Sequence, residues 1–302
     1  MNGRSAIVAI ALLVSGACDA SRTAPQLDPA TCRGPRLRYH AETDDGTAAP
    51  SDLVARTVGV IGTRLHLAGF RNVAVGALPE PGGVVVAFAE PVVPEAVEPV
   101  RALVEREGTL EFRIVAPESI EREQAAVRSA STNTLKPPPE YRWISRTHGG
   151  SDVLVQTPEK PLLAHLLRLR KKGLGEDAPE VATARGAYET VLREQVFLGD
   201  QIGRAFVVHQ SYQIVVAFEL HDDRRAGFTE FTGANVNRHM AIVLDGRVYS
   251  SPIIKSALPG EGVIEGGGAA GFTEQEAKEF AAVLSSGQLP CRLVRVAPEE
   301  TK

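Results

Sequence analysis

The chain has 302 residues, 43% of them hydrophobic and 23% charged, with a formal net charge of −4. That length supports a sizeable core divided between two domains, and the composition is that of a folded globular protein. The slight acidity offers no basic face for nucleic acid, and a single tryptophan, Trp143, among 5% aromatic residues argues against a reader built on base or sugar stacking.

Arg4, the apolar run Ala6 to Val14 and the small residues Ser15-Gly16-Ala17 before Cys18 form the pattern of a secretory signal peptide over residues 1–18. Its end resembles a bacterial lipobox, with Ser15 where an aliphatic residue is usual. On that reading Cys18 is the lipidated first residue of a chain anchored at the periplasmic face of a bacterial membrane, and residues 19–35 are a polar tether. An ordinary cleaved signal with Cys18 incidental is the alternative. No other apolar run reaches the roughly 18 to 20 residues that cross a bilayer. Cys32 and Cys291 remain, and in an oxidising compartment they either bridge the two ends of the folded part or stay as buried thiols.

Arg36 to Ala41 reads as a strand. Ser51 to Ala68 carries Leu53, Val54, Val58, Ile61 and Leu65 at helical spacing, ending at Gly69. Asn72–Leu78 and Val84–Phe88 are strand-like around a Pro- and Gly-rich turn. Pro94 to Arg106 is a second helix and Thr109 to Val115 another strand. The order βαββαβ is that of a ferredoxin-like, split βαβ fold over residues 36–116.

Residues 117–194 read as a connecting region with a helical insertion. Within it Pro161 to Lys172 is amphipathic and ends in the cations Arg168, Arg170, Lys171 and Lys172. Cations favoured by the helix dipole are the expected reading, and an anionic membrane surface is the other. Gln213 to Leu220 is a strand, and Asp222 or Asp223 caps a helix running through Phe228, Phe231, Val236 and Met240. Ala241 to Ile254 follows, with Asp245-Gly246 between two runs of strand-forming residues. That dipeptide signals a tight hairpin, because a type I′ turn needs positive φ at both positions. Val263–Glu265 is a short strand. Thr273 and Glu276 form a capping-box pattern for a helix ending at Gly287, and Cys291 to Val296 is a final strand before a tail at 298–302.

Chemistry finds little support. Gly266 to Gly271 satisfies GxGxxG in form, but no acidic residue stands at the distance a dinucleotide site requires, so a glycine-rich turn is the better reading. The seven histidines show no i, i+4 metal pair. Asp44-Asp45 and Asp222-Asp223 fall at turns and caps. No catalytic, cofactor or metal residue is nominated, and no enzymatic activity is expected.

Several blocks resemble the large extracytoplasmic domain of SecD, with its base and head subdomains. The most specific are TGANVNRHMAIVLDGRVYSSPII (Thr232–Ile254), GFTEQEA (Gly271–Ala277) and LSSGQLP (Leu284–Pro290). Arg64 to Gly69 and LEFRIV (Leu110–Val115) are similar to further family elements. The resemblance is strongest from about Gln195 onward, making residues 195–297 a head-like part. The glycine-rich D-L-x-G-G start of the family is not reproduced in Arg36–Ala48, and the membrane region that follows LxSGxLP in the family does not follow here.

What the resemblance implies is an α+β protein, a ferredoxin-like βαββαβ base plus an α+β head built on antiparallel sheet. The implied role is a membrane-anchored module that assists export by contacting translocating or unfolded polypeptide, together with components of the Sec translocon. Without intramembrane charges no proton coupling of its own is expected. Tyr249, Ser250, Ser251 and Pro252 are the candidate contact surface, as part of an exposed strand edge that binds extended chains; packing inside is the alternative for all four. A structural lipoprotein using the same fold for a partner unrelated to secretion is the rival function.

Overall fold

A computed structural model describes residues 6–7, 27–130, 137–147, 151–195, 197–198, 202–210, 212–266 and 271–296. The lipidation candidate Cys18, the expected signal sequence apart from Ala6–Ile7, residues 19–26 of the expected tether, most of the Gly266–Gly271 turn and the tail lie outside them. The fold is α+β with antiparallel sheets. The chain divides into a base unit (Ile10–Gly108, Arg204–Val208 and Thr273–Lys302) and a head unit (Met1–Ala9, Thr109–Gly203 and His209–Phe272).

In chain order the elements begin with the two-residue strand β1 (Ala6–Ile7), then β2 (Arg36–Glu42), α1 (Ser51–Leu67), β3 (Val73–Ala77), β4 (Gly83–Phe88) and α2 (Pro94–Val104). They continue with β5 (Leu110–Ile114), α3 (Glu118–Ala130), β6 (Tyr141–Ile144), β7 (Val153–Gln156), α4 (Glu159–Lys171), α5 (Pro179–Gln195) and β8 (Phe197–Leu198). The remainder is β9 (Ile202–Gln210), β10 (Gln213–Leu220), α6 (Asp222–Ala234), β11 (Met240–Leu244), β12 (Arg247–Ser250), β13 (Ile253–Ile254), β14 (Glu261–Glu265), α7 (Glu274–Ser286) and β15 (Arg292–Arg295).

The base sheet has the order β15-β2-β4-β3, antiparallel throughout. This is the ferredoxin-like arrangement, but its last helix and strand are α7 and β15. The strand expected to complete it, Thr109–Val115, pairs instead with β11 in the head unit, Leu110 opposite Leu244 and Ile114 opposite Met240. Both candidates are short strands near a helix, and local pattern cannot distinguish partners that are far apart in sequence. The final helix is well specified locally. The Thr273 hydroxyl accepts from the Glu276 N–H, and the Glu276 carboxylate accepts from the Thr273 N–H.

β4 is buried from end to end, as its Val-Val-Val-Ala-Phe sequence demands. Val85 and Ala87 share one face with Ala74 and Cys32, so Val84, Val86 and Phe88 point to the other. Each fully buried Val or Phe of this kind stabilises by about 1.5–3 kcal/mol. The last part of the expected tether belongs to this core. Arg33 and Gly34 donate their N–H groups to Ala89 and Phe88 carbonyls, and Cys32 is buried.

Cys32 and Cys291 are free thiols. Cys32 precedes the Arg36 end of β2, whereas Cys291 adjoins Arg292, which pairs with Glu42 at the other end. The length of β2 therefore holds them apart by about 20 Å, at roughly 3.3 Å per residue, against the about 7 Å limit of a bridge. Cys291 Sγ sits 3.0 Å from Thr57 Oγ1.

Arg64 is the largest fully buried side chain of the base unit. Its guanidinium donates to Leu103 O at 3.2 Å, Gly287 O at 2.8 Å and Ser286 Oγ at 3.1 Å, and also to Arg106 O. It thus neutralises the carbonyl ends of α2 and α7 together. Gly108, at φ 82°, lies so close that a Cβ there would stand 2.8 Å from Arg64 Nη2.

In the head unit β11 is central, in the order β12-β11-β5-β8. Phe112 of β5, Phe218 of β10 and Phe228 of α6 form an aromatic cluster with centroids 5.4, 5.6 and 6.2 Å apart. Thr232 locks α6 to the following loop, donating to Phe228 O and accepting from the Leu258 N–H. α6 ends at Ala234, short of the expected Met240, because Asn237 adopts φ 66° and turns the chain into β11. The sheet's other face packs Ala241, Val243 and Val248 against Ile144, Val153 and Val155 of the β6–β7 hairpin. α4 and α5 form a helical hairpin with its own small core of Leu166, Val181 and Ala184.

Candidate functional site

The Asp245-Gly246 turn has φ values of 50° and 72°, as a type I′ turn requires. It is fixed from below by Thr109, whose N–H donates to Asp245 Oδ1 at 2.9 Å while its carbonyl accepts from the Asp245 N–H at 2.9 Å. Beyond the turn the register slips. Val243 faces Val248 but Ile242 faces Ser250, so Tyr249 is the extra residue of a β-bulge.

This bulge and its surroundings bury the residues expected to form the contact surface. Tyr249 is 9% exposed and Ser250 6%, Pro252 is buried and Ser251 is intermediate. The outer edge of β12 is also occupied. Val248 donates to Ser145 O and accepts from the Thr147 N–H, while Arg247 donates to Arg146 O. Of the four residues expected at an exposed edge, Tyr249, Ser250 and Pro252 pack inside and Ser251 is half-buried, beside a β12 edge that the chain itself covers at Val248.

The free-standing edge lies one step further on. β13 bonds inward, Ile254 N–H to Arg238 O and Asn237 N–H to Ile254 O, with Met240 N–H donating to Pro252 O beside it. On its outward side β13 accepts β1 as a parallel strand, Ala6 opposite Ile253 and Ile7 opposite Ile254. The apolar segment Ala6–Ile7 is thus held in extended form at this edge by main-chain pairing, a mode that requires no particular side-chain sequence.

On the sheet face that carries Ala241 and Val243, β5 places Glu111 and Arg113 opposite Val243 and Ala241. Glu111 Oε2 accepts from Arg113 and from Arg142, each at 2.7 Å, and Arg113 Nη1 stands 2.9 Å from Glu159 Oε1. Burial pushes the Glu111 carboxyl up, but the two guanidinium groups outweigh it and hold it below the usual range. This network escapes sequence reasoning because Leu-Glu-Phe-Arg-Ile alternates as a half-solvated strand would. Among the described residues no group of three or more His, Cys, Asp or Glu is placed to hold a metal ion, and no helix is long and apolar enough to cross a membrane.

Residues 178–291 match the family described as the SecDF P1 head subdomain. This segment is SecD-like. The protein translocase subunit SecD of Aquifex aeolicus is 37% identical over 117 residues, 38% of this chain and 23% of that protein. SecD of Calditerrivibrio nitroreducens reaches 50% over 64 residues, and SecD of Elusimicrobium minutum is 28% identical over 249 residues, 82% of this chain. The chain spans 46% of the Elusimicrobium protein and less of the other two. A solved SecDF structure, described as a membrane component that enhances protein export, superposes with a TM-score of 0.53 at 20% identity, covering 87% of this chain and 98% of that one. The fold is therefore that of a SecD-like periplasmic domain.

Proposed function

We propose that this chain is an export module that works outside the cytoplasm, held at the membrane through acylated Cys18, and that it binds extended polypeptide by strand addition along the outer edge of Ile253–Ile254. The observation that carries this reading is the parallel pairing of Ala6–Ile7 with that edge, inside a segment matching the SecDF P1 head. An exported chain is extended and varied in sequence, and main-chain hydrogen bonding accepts it without selecting side chains. The buried Tyr249–Pro252 segment supports the edge from behind instead of touching the ligand. The work is binding without proton coupling, in company with Sec translocon components.

The test places a photo-crosslinker at position 253 of the processed chain during secretion, with position 249 as a buried control. Nascent secreted chains are captured at 253 and not at 249; with the crosslinker moved to exposed position 255, Ile253→Pro, which removes the outward N–H, abolishes capture. Capture of one folded protein unrelated to export sinks the proposal in favour of an assembly role. The mass of the membrane-extracted protein tests Cys18 separately.

A further inference from the structure

The α4–α5 hairpin carries a surface with no part in strand addition. Leu166 of α4 is buried against Val181 and Ala184, with Leu169 packed on the same cluster. The opposite side of α4 is an exposed stripe of Lys160, Ala164, Leu167, Arg168 and Lys171, flanked by Lys172. At 1.5 Å per residue it is about 18 Å long.

Ion pairing divides the cations of this hairpin into two sets. Arg170 and Arg185 both pair with Glu176, and Glu159 is buried and committed to Arg113. Lys160, Arg168, Lys171 and Lys172 have no acidic partner among the described residues. The helix dipole accounts for cations in the last turn, but Lys160 sits in the first turn, where the dipole opposes it. Nor does the dipole explain Leu167, 52% exposed in the middle of the stripe.

We infer that this stripe docks on anionic lipid headgroups. Charge complementarity supports it, because the stripe gathers four cations that lack an acidic partner among the described residues onto one face of a chain whose net charge is −4. Leu167 enters the interfacial layer while the flanking cations meet the phosphates, and small Ala164 leaves the approach unobstructed. The inference is independent of whether the β13 edge binds polypeptide.

The experiment compares binding of the full processed chain to vesicles of phosphatidylcholine alone and to vesicles with an equal part of phosphatidylglycerol. A lipid anchor acts equally in both, so the excess on anionic vesicles reads the stripe. That excess falls with rising salt, and falls roughly fivefold for each cation removed. Lys160→Glu/Arg168→Glu/Lys171→Glu abolishes it, while the same charge change at exposed Arg56, Arg71 and Lys255 preserves it. The corresponding glutamine variants repeat the test at constant fold, checked by Trp143 fluorescence. Equal binding to both vesicles, or equal losses for stripe and control variants, overturns the inference. So does a stripe variant that keeps its lipid excess while losing an acidic protein partner.

Discussion

Arg113 and Glu159 meet at 2.9 Å with side chains only 7% and 10% exposed, joining the central sheet of the head to the first turn of α4. Neither partner is readily solvated, so removing one strands the other. Arg113→Met or Glu159→Met is expected to destabilise the head by about 3–5 kcal/mol, whereas the double replacement Arg113→Met/Glu159→Met costs less than the sum. Urea unfolding followed by Trp143 fluorescence measures this, because Trp143 lies in β6 of the same unit. Additive losses would show that the pair does not act as a unit.

Glu111 predicts the acid limb of stability. Its folded carboxyl titrates below the ordinary 4.5, so the folded state binds fewer protons than the unfolded chain in that range. The stabilisation is present above pH 4.5 and is lost as pH falls through the lower, folded value. Denaturation midpoints from neutral pH into the acid range should show a slope below 4.5 that flattens in Glu111→Gln.

Arg64 tests the closure of the base. Arg64→Met leaves the carbonyls of Leu103, Arg106 and Gly287 without their shared donor, the first of them buried and the other two partly so. A loss of at least about 3 kcal/mol is expected, since each unsatisfied buried group costs about 1–3 kcal/mol. Lysine cannot reproduce the planar fork, so Arg64→Lys recovers only part of it. Thermal unfolding of both variants decides the matter.

Cys32 and Cys291 should both react with an alkylating reagent once the unreduced protein is unfolded, and peptide mass mapping should find each singly modified. A disulfide-linked peptide containing both would contradict the separation imposed by β2.

The hairpin at Asp245-Gly246 and the capped helix after Thr273 were legible because each is dictated by backbone chemistry within a few residues. The strand that closes the base was not. Leu110–Ile114 and Arg292–Arg295 offer comparable local patterns, and the choice is made by pairing partners that lie far away in the chain. The burial of Tyr249–Pro252 was hidden for a related reason, since the segment covering β12 comes from Ser145–Thr147. Glu111 and Arg113 look solvent-facing until a helix that brings Glu159 is laid over them. Residues 202–210 and 179–195 carry too little periodicity to announce the long strand and helix they form.

Because β15 pairs with β2, the base sheet joins strands that lie on either side of residues 109–272 of the head in the chain. A chain emerging N-terminus first can assemble the whole head before Arg292 appears. Until then Arg36–Glu42 waits with one side unpaired, exposed to proteases and to misplaced strands. Completion of the base sheet is therefore expected to follow folding of the head. Truncation just before Cys291 should yield a protein whose head resists proteolysis while its base is digested.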